Sequence, residues 1–187
     1  MTGVREAIFG RRSIKRFTTR EVSRGEIEEL IAAAVTAPNH RMTQPWTFYV
    51  LGPKARQAYG EALGKRKAAK VTDPDAAREV AGKVAAEHRD LPAMIAVAVR
   101  VSEDPEIREE DYASAFMAIE NLAIAAHAMG LGTHLKSGAV MADPAARAAV
   151  GVRDGERIVA TVHLGEPGGP GPERPRKTVS EVTSWVP

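Results

Sequence analysis

Apolar residues at i, i+3, i+4, i+7 and i+8, namely Ile27, Leu30, Ile31, Ala34 and Val35, mark one face of a helix. Ser23 and Glu26 precede that run as a capping-box pair, and Pro38 marks its end. Val4, Ala7 and Ile8 give the same spacing to a shorter first helix, with Thr2 as its cap. Residues 46–51 and 157–164, aromatic and β-branched, predict strands, and residues 131–136 predict a short one. Residues 93–99 are apolar without a break, which predicts a strand buried on both faces. Residues 54–90 break around Thr72 and Pro74 into two helices rich in alanine and charge. Their apolar stripe is thin, so they predict an exposed helical excursion and a candidate lid. Residues 110–129 are apolar almost all round, which demands a central position or a partner subunit. Glu120 and Asn121 interrupt that helix and read as polar groups satisfied in the core. Asp143 and Pro144 open a further helix that Gly151 closes. Beyond Gly165, glycine and proline abandon regular structure, leaving an extended tail over about 165–187. Strands interspersed with helices in this order predict an α+β domain spanning 1–187, a small mixed sheet with helices on both faces.

Composition narrows the function classes. A hydrophobic share of 44% in 187 residues supports a real core and excludes a disordered chain. The absence of cysteine removes disulfides, thiolate metal sites and cysteine nucleophiles, and fits a cytoplasmic protein. With 26 basic and 24 acidic residues the chain is no polycation, so nucleic acid is not an expected partner. The first ten residues lack the apolar core of an export signal, and no apolar run is long enough to span a bilayer. Neither a P-loop nor a Gly-x-Gly-x-x-Gly fingerprint occurs, and the five histidines show no metal-ligand spacing.

Three stretches carry candidate chemistry. Arg11, Arg12 and Ser13 follow the first helix. Two arginines there can serve the helix dipole, or with the serine they can face an anion. Residues 37–46 hold two prolines and five donor side chains: Asn39, His40, Arg41, Thr43 and Gln44. They form either a plain surface loop or a stiff binding loop. Gly130, Leu131 and Gly132 begin the third stretch, which runs to Gly138.

Arg11-Arg12-Ser13, then Ala37-Pro38 leading to Gln44-Pro45-Trp46, then Gly130-Leu131-Gly132 resemble, in that order, the nitroreductase superfamily of FMN-dependent flavoproteins. The likeness is to its small, short-chain members and covers nearly the whole chain. It implies a homodimer with FMN at the subunit interface. Arg11, Arg12 and Ser13 would come from one subunit, and Thr36, Asn39, His40 and Gln44 from the other. Leu135, Lys136, Ser137 and Gly138 would lie beside the flavin ring, with the 137–138 backbone at N5. Arg174, Arg176 and Lys177 would approach the phosphate. The implied activity is an NAD(P)H oxidoreductase reducing nitroaromatics, quinones or similar small acceptors by ping-pong kinetics, with no catalytic side chain beyond FMN. Two other readings keep the fold: an FMN-storage protein, and a flavoenzyme with a dedicated substrate, such as a reductive dehalogenase or flavin-cleaving oxygenase. The sequence departs from the family pattern at Lys15 and Lys136, where arginine is usual, at Asn39 and His40, where serines are common, and at Met42, where asparagine is common.

Overall fold

Four strands pair edge to edge in the computed structural model, which describes residues 3–187. They are β1 (Trp46–Val50), β2 (Ala93–Arg100), β3 (Gly132–Lys136) and β4 (Glu156–Gly165), in the order β1-β2-β4-β3. All three pairings are antiparallel; the parallel component of the sheet is a bridge from Ser13 to Thr133. The helices are α1 (Val4–Gly10), α2 (Arg24–Ala34), α3 (Pro53–Ala68), α4 (Pro74–Arg89), α5 (Pro105–Ala128), α6 (Pro144–Val150) and α7 (Val179–Val182). The cap expected at Thr2 lies outside the described residues. The Ser23–Glu26 capping box forms as expected, and Asp104 and Asp143 cap α5 and α6 ahead of their N1 prolines.

Alternation along β2 builds two cores. Ile95 and Val97 face Leu30, Ala34, Leu122 and Ala126 of α2 and α5. Met94 and Ala96 face Tyr59 and Ala62 of α3, together with Val140, Met141 and Val150.

Residues 54–90 are therefore no exposed excursion. They fold as α3 and α4, an antiparallel pair that covers the second face of the sheet. A methyl group added at Gly60 would lie 2.9 Å from the Ala85 Cα, and one at Gly64 would lie 2.7 Å from the Ala81 carbonyl oxygen. The two backbones touch, so the thin stripe of glycine and alanine that predicted exposure suffices to pack the pair. Glu120 also departs from expectation. It is exposed, and it pairs with Arg11 at 3.3 Å. α5 buries Ala115, Ala118, Leu122 and Ala126 completely, yet leaves Phe116 42% and Met117 39% exposed. Among the described residues, no helix is long and apolar enough to cross a membrane.

Candidate functional site

After α1 the chain runs extended and is held on both sides. Ile14 N–H donates to the Thr133 carbonyl of β3 at 2.9 Å. On the other flank Thr18 N–H donates to Glu166 O, and Gly168 N–H to Arg16 O, each at 2.9 Å. Extended backbone alternates its side chains. Ile14 points inward and is buried, while Ser13 and Lys15 are exposed. The same clamp draws the tail alongside: a methyl group at Gly171 would lie 2.4 Å from Arg12 Cβ.

This arrangement forms a cavity of about 570 Å³ whose lining includes Arg11, Arg12, Ser13, Lys15, Arg174 and Arg176. Five cations face it, and none of its lining residues is a carboxylate. Glu120 steadies Arg11 from outside the lining. Arg12 Nη1 donates to the Phe9 carbonyl at 2.7 Å and the Arg11 carbonyl at 3.0 Å, closing the C-terminal end of α1. Its remaining guanidinium donors are left for a ligand. Arg12 thus serves the helix end, the first of the two sequence readings, and it also lines the cavity. Lys177 is exposed and does not line the cavity.

Lys15 and His134 also line a neighbouring cavity of about 440 Å³, together with Lys136, His88 and His163. Three imidazoles stack edge to face there. The His134 and His163 centroids are 6.0 Å apart, and those of His163 and His88 are 5.2 Å apart. His88 Nδ1 bonds the Val84 carbonyl at 2.8 Å, but the buried Nε2 atoms of His88 and His163 have no protein partner. Burial, followed by the charge of Lys136, pushes the His163 pKa down to about 2. Burial also lowers His88, and burial with Lys136 and Lys15 lowers His134. Lys136 is itself lowered, by burial first and then by Lys67, with Glu87 opposing. Among the described residues no group of three or more His, Cys, Asp or Glu has the geometry to hold a metal.

The 36–44 loop lies elsewhere in the chain and lines neither cavity. Arg41, Met42 and Gln44 have φ of 61°, 50° and 43°, the left-handed region that residues other than glycine rarely occupy. Side chains hold this backbone in place. Asn39 Oδ1 accepts Gln44 N–H at 2.6 Å, and Asn39 Nδ2 donates to Thr43 Oγ1 at 3.0 Å and Ser114 Oγ at 3.3 Å. Thr43 donates to the buried Asp111 at 2.5 Å. His40 pairs with Glu110 at 2.8 Å, and Arg41 bonds Glu106 at 2.8 Å and Glu110 at 3.3 Å. The His40 hydrogen bond is the main reason Glu110 sits below the usual carboxylate range. Within one chain, then, Asn39 and His40 organise the loop rather than offer free donors. Thr36 donates to the Ala33 carbonyl at 2.7 Å, and the Gln44 side chain is exposed.

At the end of β3, Gly138 adopts φ 126° and ψ −172°, a conformation open only to glycine. The turn leaves the Ser137 and Gly138 amide N–H groups with no protein acceptor among the described residues. Leu135, between His134 and Lys136, is 43% exposed.

Residues 8–166 match the Nitroreductase family. The chain belongs to this family. A Bacillus subtilis relative named "Putative NAD(P)H nitroreductase YfhC" is 30% identical over 165 residues, 88% of this chain and 84% of its own length. The crystal structure of a nitroreductase-like family protein from Bacillus cereus superposes with a TM-score of 0.86 at 25% identity, covering 100% of this chain and 97% of that one. The FMN and NADPH-dependent nitroreductase NfnB from Sphigopyxis sp. strain HMH shares the fold, with a TM-score of 0.78 at 20% identity over 99% of each chain.

Of the residues expected at the site, the chain brings Arg11, Arg12, Ser13, Arg174 and Arg176 to one cavity. Lys136 borders the adjoining one, and Ser137 and Gly138 open onto a third. Lys15 and His134 were not in the expected site set. The signal for Lys15 was its place two residues after Ser13 on an extended segment. His134 carried none.

Proposed function

We propose that this nitroreductase-family chain is an FMN-dependent NAD(P)H oxidoreductase, a homodimer that reduces nitroaromatics, quinones or similar acceptors. The observation that carries the reading is the cavity with five cations and one serine, with no carboxylate in its lining. FMN brings a phosphate of about −2 charge, the ligand such a donor set suits. Arg11, Arg12, Arg174 and Arg176 would hold that phosphate, with Ser13 as a neutral donor. Lys15 would meet the pyrimidine edge, and Leu135 would pack against the ring. The free amides of Ser137 and Gly138 would orient N5. FMN, when bound, supplies hydride acceptance and donation at that atom. Thr36, Asn39, His40 and Gln44 would complete the site from the second copy, because the 36–44 loop lies away from its own chain's cavity. Exposed Phe9 on α1 and exposed Met117 on α5 supply apolar surface for such an interface.

Two measurements test the reading. FMN-loaded protein mixed anaerobically with NADH or NADPH, with no acceptor present, should lose its visible flavin absorbance in a stopped-flow trace, and a nitroaromatic or quinone added afterwards should restore it. Failure of both nucleotides to bleach the flavin would favour storage or a dedicated substrate. A requirement for acceptor before bleaching would exclude ping-pong turnover. The second measurement compares flavins. Arg12→Ala should weaken FMN by about 1.5–3 kcal/mol, the contribution of a charge-assisted hydrogen bond, and riboflavin by much less. Equal losses, read by fluorescence titration, would reduce Arg12 to its role at the end of α1.

A further inference from the structure

Beside the Ser137–Gly138 turn opens a cavity of about 420 Å³ unlike the cationic one. Tyr112 and Phe116, one turn apart on α5, form an aromatic wall, and Met141 and Ile158 add apolar surface. Arg157, near the start of β4, is its single charged lining residue. Arg157 Nη1 donates to the Tyr112 hydroxyl at 2.9 Å, and its guanidinium carbon lies 5.2 Å from the centroid of the Tyr112 ring. Among the described residues no carboxylate lies within ion-pair distance of it. Its fork is thus oriented by an aromatic side chain while most of its donors stay free, at the rim of an apolar pocket.

We propose that this cavity selects acceptors that join an aromatic ring to an acidic group, the ring against Phe116 and Tyr112 and the anion on Arg157. The proposal rests on the oxidoreductase reading above, since it places the acceptor beside the same 137–138 amides. The volume sits near the low end of the range of about 300–1,000 Å³ for small-molecule sites, which suits one substituted ring and not a whole dinucleotide. The anion takes no part in the chemistry. With a nitro acceptor, NAD(P)H and one proton convert the nitro group to a nitroso group and water, and two electrons pass from the nucleotide.

The test compares 4-nitrobenzoate with its methyl ester in the FMN-loaded protein. Wild type should prefer the acid. In Arg157→Gln the ratio of kcat/KM for acid over ester should fall about tenfold, the loss expected for one partly exposed charge-assisted contact. Arg157→Lys should recover part of it. Calorimetry with unreactive ligands gives a second readout: benzoate should bind more tightly than benzamide, and Arg157→Gln should erase the difference. An unchanged ratio with equal benzoate and benzamide affinity overturns the proposal. So does a rise in the KM for NADPH with the acid-to-ester ratio intact, which would give Arg157 to the donor's phosphate. If neither acceptor turns over and neither nucleotide bleaches the flavin, the oxidoreductase reading fails, and the calorimetric comparison still decides what the cavity binds. If the flavin is bleached but neither acceptor reoxidises it, the proposal for this cavity is overturned.

Discussion

Acidification from pH 7 to pH 5 is expected to remove about 2 kcal/mol of folding stability through His163 alone. The folded state holds its imidazole neutral, with a pKa of about 2, because it is buried between His88 and His134 and near Lys136. In the unfolded chain the same group titrates near its ordinary value of about 6.5. Below that pH the unfolded state binds the extra proton, so stability falls with pH and goes on falling toward the folded pKa. The slope approaches about 1.4 kcal/mol per pH unit for each histidine that stays neutral. His88 and His134 are lowered too and add in the same direction. Carboxylates held low in the fold, such as Glu26 and Glu156, lose their contribution only below about pH 4.5, so pH 5–7 isolates the imidazoles. Urea titrations at fixed flavin loading across that window would measure the slope. His163→Phe should flatten it by about one proton's worth while keeping an aromatic ring in the stack. A wild-type profile flat from pH 7 to pH 5 would show that a bound proton or solvent reaches the stack after all.

Gly132→Ala is expected to damage stability and cofactor binding together. The added methyl would lie 2.6 Å from Ile14 Cγ1 and 2.7 Å from Ile14 Cβ, so the extended segment carrying Arg11 to Lys15 must move off β3. Overpacking of this kind costs about 1–3 kcal/mol. The displaced segment also carries three of the five cations of the main cavity. Gly64→Ala is the control, because its methyl would meet the Ala81 backbone between α3 and α4, and Gly64 lines neither the cationic cavity nor its neighbour. The two variants should lose comparable stability by urea titration, but only Gly132→Ala should lose FMN affinity beyond that of wild type at a temperature where both are folded. Equal FMN affinity in the two would mean that Ser13 and its neighbours do not depend on β3 for their placement.

Elements announced by local chemistry were legible in the sequence. The Ser23–Glu26 box, the Asp–Pro start of α6 and the unbroken apolar run of β2 each fold as their residues predict. The docking of α3 and α4 was not legible, since Gly60 and Gly64 work by lacking a side chain and leave no apolar period to read. The cationic segment before Ile14 stood out, as did the arginines of the tail. Their meeting depends on backbone bonds from Ile14 to Thr133 and from Gly168 to Arg16, pairings across more than a hundred residues that no local pattern encodes. The 36–44 loop was recognised as polar and stiff. Its side chains turn inward onto α5 because a left-handed backbone without ladder partners must be satisfied by Asn39, Thr43 and Asp111.

The family match ends at Glu166, and two of the five cations in the main cavity arrive later, on Arg174 and Arg176. The segment between them crosses Arg12 through Gly171 and then continues as exposed chain. The two sides of the cavity are therefore held differently, one bonded to the sheet and the other carried on a strap of exposed chain. In the proposed reading, the residence time of the cofactor becomes a property of that strap. Changes in its length or charge can make the same folded body a tight holder of its flavin or a ready exchanger, with the sheet, the two cores and the acceptor cavity left as they are.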